Sequence, residues 1–380
     1  MKSKEKKFGP KILWIGPFIP PNYMRDWLAA SPAANKWQKH IVEALVDEGA
    51  DVEWLYYRPD PYWPRGRLLP SKENIPFKIV HKQNHIHYFN TIALRNFTLK
   101  KSLQKILKKK IEDNGSQRLI IISYNSSPWV NKIFSDKNIR SKFSCVYIIA
   151  DKEVLPGADG YVFLSYDSFK KYNKNCNKLH LDGAVYPLHP IRNVKKLDKK
   201  KNKTIFLYSG SFDKWGGVIM LLEAMDHIKD DRFELWICGP ANDKLFKSAV
   251  KKDQRIKYLG LLTDNQLQNT YKKADIFLNP RPVNMPGNEI NFPSKLFDYL
   301  AWNKPIISTW TKSLSPIYKK VLHVVNDNPV AIASAMKSFL EVKKYSKIKN
   351  KKWIEDKNWN NEANKLKNFL RKIITRKIFV

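Results

Sequence analysis

Short apolar runs that alternate with helical segments, twice along the chain, are the feature that most constrains the fold. Runs this short and this continuously apolar are typical of parallel strands that helices cover on both faces. The sequence therefore predicts an α/β protein with two doubly wound domains. The apolar runs lie at 11–16, 51–57, 77–81, 118–123, 143–150 and 160–165, and again at 204–210, 233–239, 256–260, 274–280 and 304–309.

A break in this rhythm predicts the domain boundary. Single hydrophobic cores stop growing at roughly 250–300 residues, and the chain is longer than that. The stretch at 184–203 has two prolines and then a lysine-rich run without periodicity, as linkers do. We expect an N-terminal domain at 1–185, a linker at 186–203, a C-terminal domain at 204–342 and a basic helical segment at 343–380.

Composition excludes several classes of protein. Hydrophobic residues make up 43% of the chain, which argues against disorder. The three cysteines form no CxxC pair, so neither a disulfide framework nor a structural zinc site is expected. His85 and His87 could share one face of a strand, but no third ligand follows at a suitable spacing, and no metal site is predicted. We find no signal peptide and no apolar run near the roughly 20 residues of a spanning helix, and expect a cytoplasmic protein.

The charge balance is strongly basic. Lys and Arg number 69 against 35 Asp and Glu, a formal net charge of +34. A lysine-rich coding bias, with the lysines on solvated faces, would explain this net charge. Binding to an anionic membrane, an anionic substrate or nucleic acid would explain it equally well. No zinc finger, RNP-type aromatic motif or basic-region heptad is present, so sequence-specific recognition of nucleic acid is not expected.

Two helical segments are basic and amphipathic. Leu99, Leu103, Ile106 and Leu107 form an apolar stripe between lysines at 100, 101, 105, 108 and 109, which suits peripheral contact with anionic lipid. The second segment could pack on a domain surface or lie on a membrane. Its apolar positions are Trp359, Ala363, Leu366, Leu370 and Ile373.

A helix start in the second half has the composition of a phosphate-binding site. We expect a helix over 293–302, opening at Pro293, with Ser294 and Lys295 in its first turn. Free backbone N–H groups, the hydroxyl and the ammonium could together hold a pyrophosphate there. Asp298 falls on the same face and could accept hydrogen bonds from ribose hydroxyls. In isolation, these residues could also be a helix cap and a surface ion pair.

A glycine-containing turn, YSGSFDKWGG at 208–217, follows the first strand of the second half. Gly210 and Ser211 allow a ligand to approach the backbone closely, and Gly216 and Gly217 lie where the next helix begins. The turn lacks both GxGxxG spacing and a Walker GK[ST] sequence, which argues against a kinase or P-loop protein.

The run NEINFPSKLFDYLAWNKPIIS, residues 288–308, resembles the donor-binding segment of GT-B glycosyltransferases, in particular the retaining family four (group 1). YSGSFDKWGGVIMLLEA, ICGPA and ADIFLNP are similar to other landmarks of that family and come in the same order. The resemblance implies two Rossmann-like domains with a cleft between them. It covers 204–340 well, whereas the likeness of the N-terminal half is architectural.

The resemblance further implies a nucleoside-diphosphate sugar, with UDP or GDP, as donor and a saccharide or lipid-linked saccharide as acceptor. No cofactor or metal is implied. The family's usual spacing would place an acidic residue at Ile290, and Glu289 is one position away. The implied donor-binding residues are Gly210, Ser211, Lys214, Arg281, Glu289, Ser294, Lys295 and Asp298.

Catalysis requires stabilisation of the departing diphosphate, which Lys295 and Arg281 could provide. Glu289 is expected at the donor sugar. An inverting enzyme also needs a general base, and Asp151, directly after an apolar run, is the candidate; it could equally be a turn residue. Loops at 17–27 and 57–67 mix aromatic residues with Arg and are expected near the acceptor.

The predicted function is synthesis of a surface polysaccharide or lipopolysaccharide. An inverting glucuronosyltransferase-like GT-B enzyme is the alternative among transferases, and a nucleotide-sugar epimerase on the same fold is more remote. A basic module that binds membranes or nucleic acid would explain the charge but not the ordered motifs.

Overall fold

The structure, a computed structural model, describes residues 9–19, 31–70, 82–115, 119–185, 203–210, 212, 214–240, 243–341 and 351–378. It divides into two compact units. Unit 1 contains the described residues up to Leu164, together with Ser168–Gly183 and those from Trp359 onward. Unit 2 contains Ser165–Asp167 and the described part of Ala184–Asn358. The predicted linker lies almost entirely outside the described residues, so the predicted boundaries stay predictions.

Unit 1 is built on a seven-stranded sheet whose pairings are all parallel. Its strands run in the order β3-β2-β1-β4-β5-β6-β7. The central strands are buried along their whole length, as continuously apolar runs predict. The strands are β1 Ile12–Pro17, β2 Val52–Tyr57, β3 Gln83–His85, β4 Leu119–Tyr124, β5 Phe143–Ile149, β6 Gly160–Phe163 and β7 Lys178–His180.

The helices of unit 1 cover this sheet, and α1 and α4 begin with a side-chain cap. Ser31 accepts a hydrogen bond from the N–H of Ala34 at the start of α1, and Pro32 occupies the first turn. Asp136 accepts from Asn138 at the start of α4. The helices are α1 Pro32–Asp47, α2 Arg95–Asn114, α3 Pro128–Phe134, α4 Lys137–Lys142 and α5 Tyr166–Lys171, the last of which begins with two residues of unit 2.

Unit 2 repeats the architecture with six parallel strands in the order β10-β9-β8-β11-β12-β13. Its strands are β8 Thr204–Ser209, β9 Phe233–Cys238, β10 Ile256–Tyr258, β11 Ile276–Asn279, β12 Ile306–Thr309 and β13 His323–Val325. Its helices are α6 Val218–Asp226, α7 Asp243–Lys252, α8 Asp264–Lys273, α9 Lys295–Ala301, α10 Pro329–Glu341 and α11 Lys351–Asp356, with a 3₁₀ turn at Pro316–Lys320.

The prediction of two doubly wound domains is confirmed, with differences at the ends of elements. The helix expected at 293–302 begins at Lys295, and the helix expected from about 215 begins at Val218 because Gly217 adopts a left-handed conformation. The strands β3, β7 and β13 were not predicted; each has three residues, too few to show a periodicity. The strand expected at 77–81 lies outside the described residues.

The last helix, α12 Trp359–Ile378, packs on unit 1. Its apolar positions are buried, and Trp359 packs edge-on against Trp37 of α1 with ring centroids 6.0 Å apart. Lys367 lies 3.6 Å from the carboxylate of Glu48. Of the two interpretations of this helix, packing on a domain surface is therefore confirmed.

The apolar stripe of α2 is also buried, which corrects the expectation that it could face lipid. Leu99, Leu103 and Leu107 are at most 2% exposed and belong to the core beneath the sheet, and Ile106 packs against that core. The lysine-bearing face of α2 remains in solvent. Among the described residues, no helix is both long enough and apolar enough to cross a bilayer.

Candidate functional site

The order of the strands marks one edge of unit 2 as the place for a ligand. The strand order reverses direction between β8 and β11, and in open α/β sheets ligands bind beyond the carboxyl ends of the strands at such a point. Gly210 follows β8 directly, and Arg281 comes two residues after β11. Helix α9, which begins at Lys295, follows the loop that leaves β11.

Lys295 lies against the glycine turn. Its Nζ is 4.0 Å from the centre of the Tyr208 ring, a cation–π contact. A Cβ added to Gly210 would lie 2.6 Å from that Nζ, and Gly210 has a φ of +153°. Glycine at this position therefore leaves room for the ammonium at the carboxyl end of β8.

Three hydroxyl groups hold the end of β8 in place. The hydroxyl of Tyr299 accepts from the N–H of Ser209 at 2.9 Å, and Ser209 Oγ lies 3.0 Å from the Tyr271 hydroxyl and 3.1 Å from that of Tyr299. Burial raises the pKa of both tyrosines, so both hydroxyl groups stay protonated. Sequence reasoning assigned no role to these residues, although Tyr299 follows Lys295 by four positions and so shares its helix face.

Asp298 lies close to the same cluster. Asp298 is half-buried on α9. Its negative charge raises the pKa of Tyr271, an effect second in size only to the burial of Tyr271 itself. Cys238 lies on the other side of the turn, where burial raises the pKa of its thiol to about 12 and the nearby Lys295 ammonium acts in the opposite direction. The structure thus places Lys295 beside Gly210 at the carboxyl end of β8, with Asp298 one turn further along α9.

The backbone at the start of α9 differs from the expectation. The N–H groups of Ser294, Leu296 and Phe297 donate to Phe292, Pro293 and Ser294, at 2.9, 3.0 and 3.1 Å. The expectation that these three amides would be free was therefore wrong: Leu296 and Phe297 donate to the carbonyl three residues earlier, and Ser294 donates to the carbonyl two residues earlier. Ser294 is the N-cap residue, and its side chain makes no capping hydrogen bond.

The loop between β11 and α9 is braced internally. The Glu289 carboxylate accepts from the N–H of Gly287 at 3.0 Å, and the Glu289 carbonyl accepts from Ser165 Oγ at 2.7 Å. Arg281 donates to the carbonyl of Asn291 at 2.7 Å. Both predicted residues therefore lie in the loop that precedes Lys295, and both support its shape.

Asn288 and Trp215 join this loop to the glycine turn. The buried Asn288 donates through Nδ2 to the carbonyls of Trp215 and Pro282, and the Trp215 ring N–H donates to Pro286. Lys214 lies over the Trp215 ring, with Nζ 4.9 Å from its centre. Neither Asn288 nor Trp215 was identified from the sequence. Ser211 lies outside the described residues.

Gly217 permits the closest approach between the two segments. Its φ is +79°, and an added Cβ would overlap the carbonyl oxygen of Pro280. We expect Gly217→Ala to lower the free energy of unfolding by more than about 1 kcal/mol, because the left-handed φ and the overlap both oppose a side chain. Gly260→Ala is the matched control, since Gly260 has a φ of +72° but open space around its Cβ. Urea denaturation measures both, and equal losses would show that the overlap does not matter.

Asp151 lies at the corresponding edge of unit 1. It is exposed, comes two residues after the end of β5, and accepts a hydrogen bond from Asn125 Nδ2 at 2.8 Å. Asn125 follows β4 and has a φ of +61°. Asp151 is thus oriented at the carboxyl end of the sheet.

The two histidines that were expected to share a strand face lie close together. The rings of His85 and His87 lie 4.9 Å apart. In the portion of the chain that the structure describes, no group of three or more His, Cys, Asp or Glu could hold a metal ion.

Comparison with known proteins identifies a family model that part of the chain matches. Residues 191–370 match the family model of glycosyl transferases group 1, which confirms the resemblance found in the motifs. A search by sequence finds no significant match among curated proteins.

Solved structures share the fold at low identity. Sucrose-phosphate synthase from Thermosynechococcus elongatus is 16% identical, with a TM-score of 0.65 over 97% of this chain and all of the other. The lipopolysaccharide outer core galactosyltransferase WaaB is 14% identical, with a TM-score of 0.65 over 95% of this chain and 99% of the other. Anabaena HepE in complex with UDP is 12% identical, with a TM-score of 0.63 over 95% and 100%. The chain therefore has the GT-B fold.

Proposed function

We propose that this chain, whose residues 191–370 form a group 1 glycosyl transferase region, moves a sugar from a nucleoside-diphosphate sugar to a saccharide or lipid-linked saccharide acceptor. The observation that carries the proposal is that Lys295 lies beside Gly210 at the carboxyl end of β8, with Asp298 one turn further along α9. A cation beside a side-chain-free backbone suits a diphosphate, and a carboxylate one helical turn away suits a ribose.

In this proposal Lys295 binds the diphosphate and stabilises the charge that develops when the glycosidic bond breaks. The Ser294 hydroxyl, Gly210 and Ser211 contact the phosphates, and Asp298 accepts hydrogen bonds from the ribose. Since the amides at the start of α9 bond within their own turn, the ammonium carries most of the stabilisation. Lys214 and Arg281 supply further positive charge.

Glu289 is proposed to contact the hydroxyl groups of the donor sugar. Its carboxylate already accepts from Gly287, and this bond orients it within the donor loop. The proposal needs no metal, because side-chain cations neutralise the leaving group.

The stereochemistry depends on the role of Asp151. A retaining enzyme of the family-four type needs no base there, whereas an inverting, glucuronosyltransferase-like enzyme would use Asp151 to deprotonate the acceptor. The exposure of Asp151 and its orientation by Asn125 support the second candidate. The anomeric configuration of the first-formed product, read by NMR, decides between them: retention would exclude Asp151 as that base.

Binding of nucleotides tests the proposal directly. We expect UDP or GDP to raise the midpoint of thermal unfolding at high salt, because a ligand that binds only the folded state stabilises it. UDP comes first, since the solved HepE structure contains it. A shift produced only by an oligonucleotide, and lost with salt, would support a basic nucleic-acid-binding module instead. Release of the nucleoside diphosphate across a panel of donor sugars would then identify the substrate.

We also propose peripheral contact with an anionic membrane, which suits a lipid-linked acceptor. Lys101, Lys105, Lys108 and Lys109 are exposed on the solvent face of α2. Each basic residue near an anionic surface contributes about 1 kcal/mol to attraction.

Changing these four lysines to Glu should therefore reduce sedimentation with phosphatidylglycerol vesicles by well over tenfold, roughly 1 kcal/mol or more per residue. The matched control changes four exposed lysines of unit 2, at positions 229, 251, 272 and 273, by the same total charge. Equal losses in both variants would mean that net charge alone, rather than the face of α2, governs binding.

A further inference from the structure

One surface of unit 1 concentrates exposed apolar side chains. Of the twelve large apolar side chains that are exposed in the described part of the chain, seven lie between residues 62 and 97. Exposed apolar side chains that gather on one surface mark an interaction site. We call these residues the apolar patch: Tyr62, Trp63, Leu68, Phe89, Ile92, Leu94 and Phe97.

Hydrogen bonds hold the segments of the apolar patch together. The buried Asn90 accepts at its carbonyl from the N–H of Trp63 at 3.0 Å, and its own N–H donates to Leu68 at 2.8 Å. Its Nδ2 donates to the carbonyls of Pro61 and Arg67, each at 2.7 Å. These bonds fix the loop after β2 against the loop after β3, so the apolar patch is a shaped surface.

The start of α2 belongs to the same surface. Arg95 stacks on the Tyr62 ring, with its Cζ 3.8 Å from the ring centre, and it also bonds Asn90 and the carbonyl of Asp60. Thr98 Oγ1 accepts from the N–H of Phe89 at 3.0 Å. The exposed side chains therefore stand on two loops and one helix that are bonded to each other.

The charge around the apolar patch is positive. Residues 61–70 and 86–111 contain no Asp or Glu and nine Lys and Arg. Arg65 and Arg67 are exposed in the first segment, and Lys101 lies over the Phe97 ring with Nζ 5.8 Å from its centre. Asp60, which precedes the first segment, is buried, whereas the exposed Glu112 and Asp113 lie at the opposite end of α2 from the apolar patch. Such a surface complements an anionic one.

We propose that the apolar patch inserts into the headgroup region of an anionic bilayer while the neighbouring Arg and Lys contact the lipid phosphates. Trp and Tyr favour this region because one part of each ring system is apolar and another is polar. Aromatic and aliphatic side chains beside basic ones are the composition that lies in membrane interfaces. This deepens, and rests on, the membrane contact in the proposed function, and it assigns the lipid-inserting role that the buried stripe of α2 does not fill.

The position of the apolar patch bears on where a lipid-linked acceptor would reach unit 1. Its loops follow the carboxyl ends of β2 and β3, and Asp151 follows β5 at the same edge of the sheet. Strands β2 and β5 are three positions apart in the sheet, which is about 14 Å at the usual strand spacing. A lipid-linked saccharide could therefore stay in the bilayer while its sugar reaches this edge of unit 1.

The test removes apolar surface without changing charge. In the patch variant Trp63, Ile92 and Phe97, which are 53%, 79% and 53% exposed, are changed to Ala. In the control variant Ile219, Leu261 and Val330 of unit 2, which are 49%, 57% and 60% exposed, are changed to Ala. Sedimentation of the full chain is measured with vesicles of phosphatidylcholine alone and with added phosphatidylglycerol.

We expect the wild-type chain and the control to bind the anionic vesicles, and the patch variant to bind about tenfold more weakly or worse. Thermal unfolding and the nucleotide-induced shift should be the same in all three, which separates this result from the fate of the transferase proposal. Equal binding by wild type and patch variant would overturn the inference. The inference would also be overturned if the wild-type chain bound polyglutamate but not the vesicles, and if the patch variant lost that binding. Such a result would indicate an acidic protein partner.

Discussion

Replacing Lys295 by Ala should lower turnover of the nucleoside-diphosphate sugar by roughly a hundred- to a thousandfold, the usual effect of removing one group that stabilises transition-state charge. The effect should be large here because the helix-start amides that could have shared the task bond within their own turn. Release of the nucleoside diphosphate measures it, with the donor chosen from the thermal-shift panel.

The control for this prediction is Lys320→Ala, which removes one exposed lysine from the same unit. Its turnover should equal that of the wild type. Lys295→Arg should recover part of the lost activity, since the charge remains but the planar guanidinium does not reproduce a compact ammonium over Tyr208. Full activity in Lys295→Ala with unchanged nucleotide affinity would refute the assignment of the site.

Replacing Asp298 by Asn should weaken binding of the nucleoside diphosphate by about ten- to a hundredfold, because hydrogen bonds to a charged group contribute roughly 1.5–3 kcal/mol. The side chain keeps its size, so the packing of α9 should persist. Isothermal titration with the nucleoside diphosphate and, separately, with inorganic pyrophosphate measures the effect.

The two ligands distinguish the two residues. Asp298→Asn should weaken only the nucleoside diphosphate, because pyrophosphate has no ribose, whereas Lys295→Ala should weaken both. Asp264→Asn, a change of an exposed carboxylate at the start of α8, is the matched control and should leave both affinities unchanged. Equal weakening of both ligands by Asp298→Asn would show that its role is not at the ribose.

Much of the fold could be predicted because it is encoded locally. Buried parallel strands require continuous apolar runs, and glycine is the residue that tolerates the left-handed conformation at Gly217 before α6. The strands β3, β7 and β13, which were not predicted, lie at sheet edges and have three residues each. The edge strand β10 is equally short, but it lies in the apolar run at 256–260 and was predicted.

The candidate site was predictable only in part. The segment PSKLFDY carries Ser294, Lys295 and Asp298 in a recognisable order, but the hydrogen bonds of Ser209 with Tyr271 and Tyr299 join positions up to 90 residues apart. Asn288 likewise acts across 73 residues by bonding the carbonyl of Trp215. No local pattern reports such pairs, because their partners are brought together only by the sheet.

The sequence by itself determined the strands of the two parallel sheets, the glycine turn and the residues that α9 presents. Each of these features is encoded by residues that lie within a few positions of one another. The tertiary structure alone decided what is exposed. It buried the apolar stripe of α2 in the core and left Trp63, Ile92 and Phe97 in solvent, although all are apolar residues near basic ones. Burial depends on which distant surfaces meet, and that is a property of the packed chain, not of any short segment.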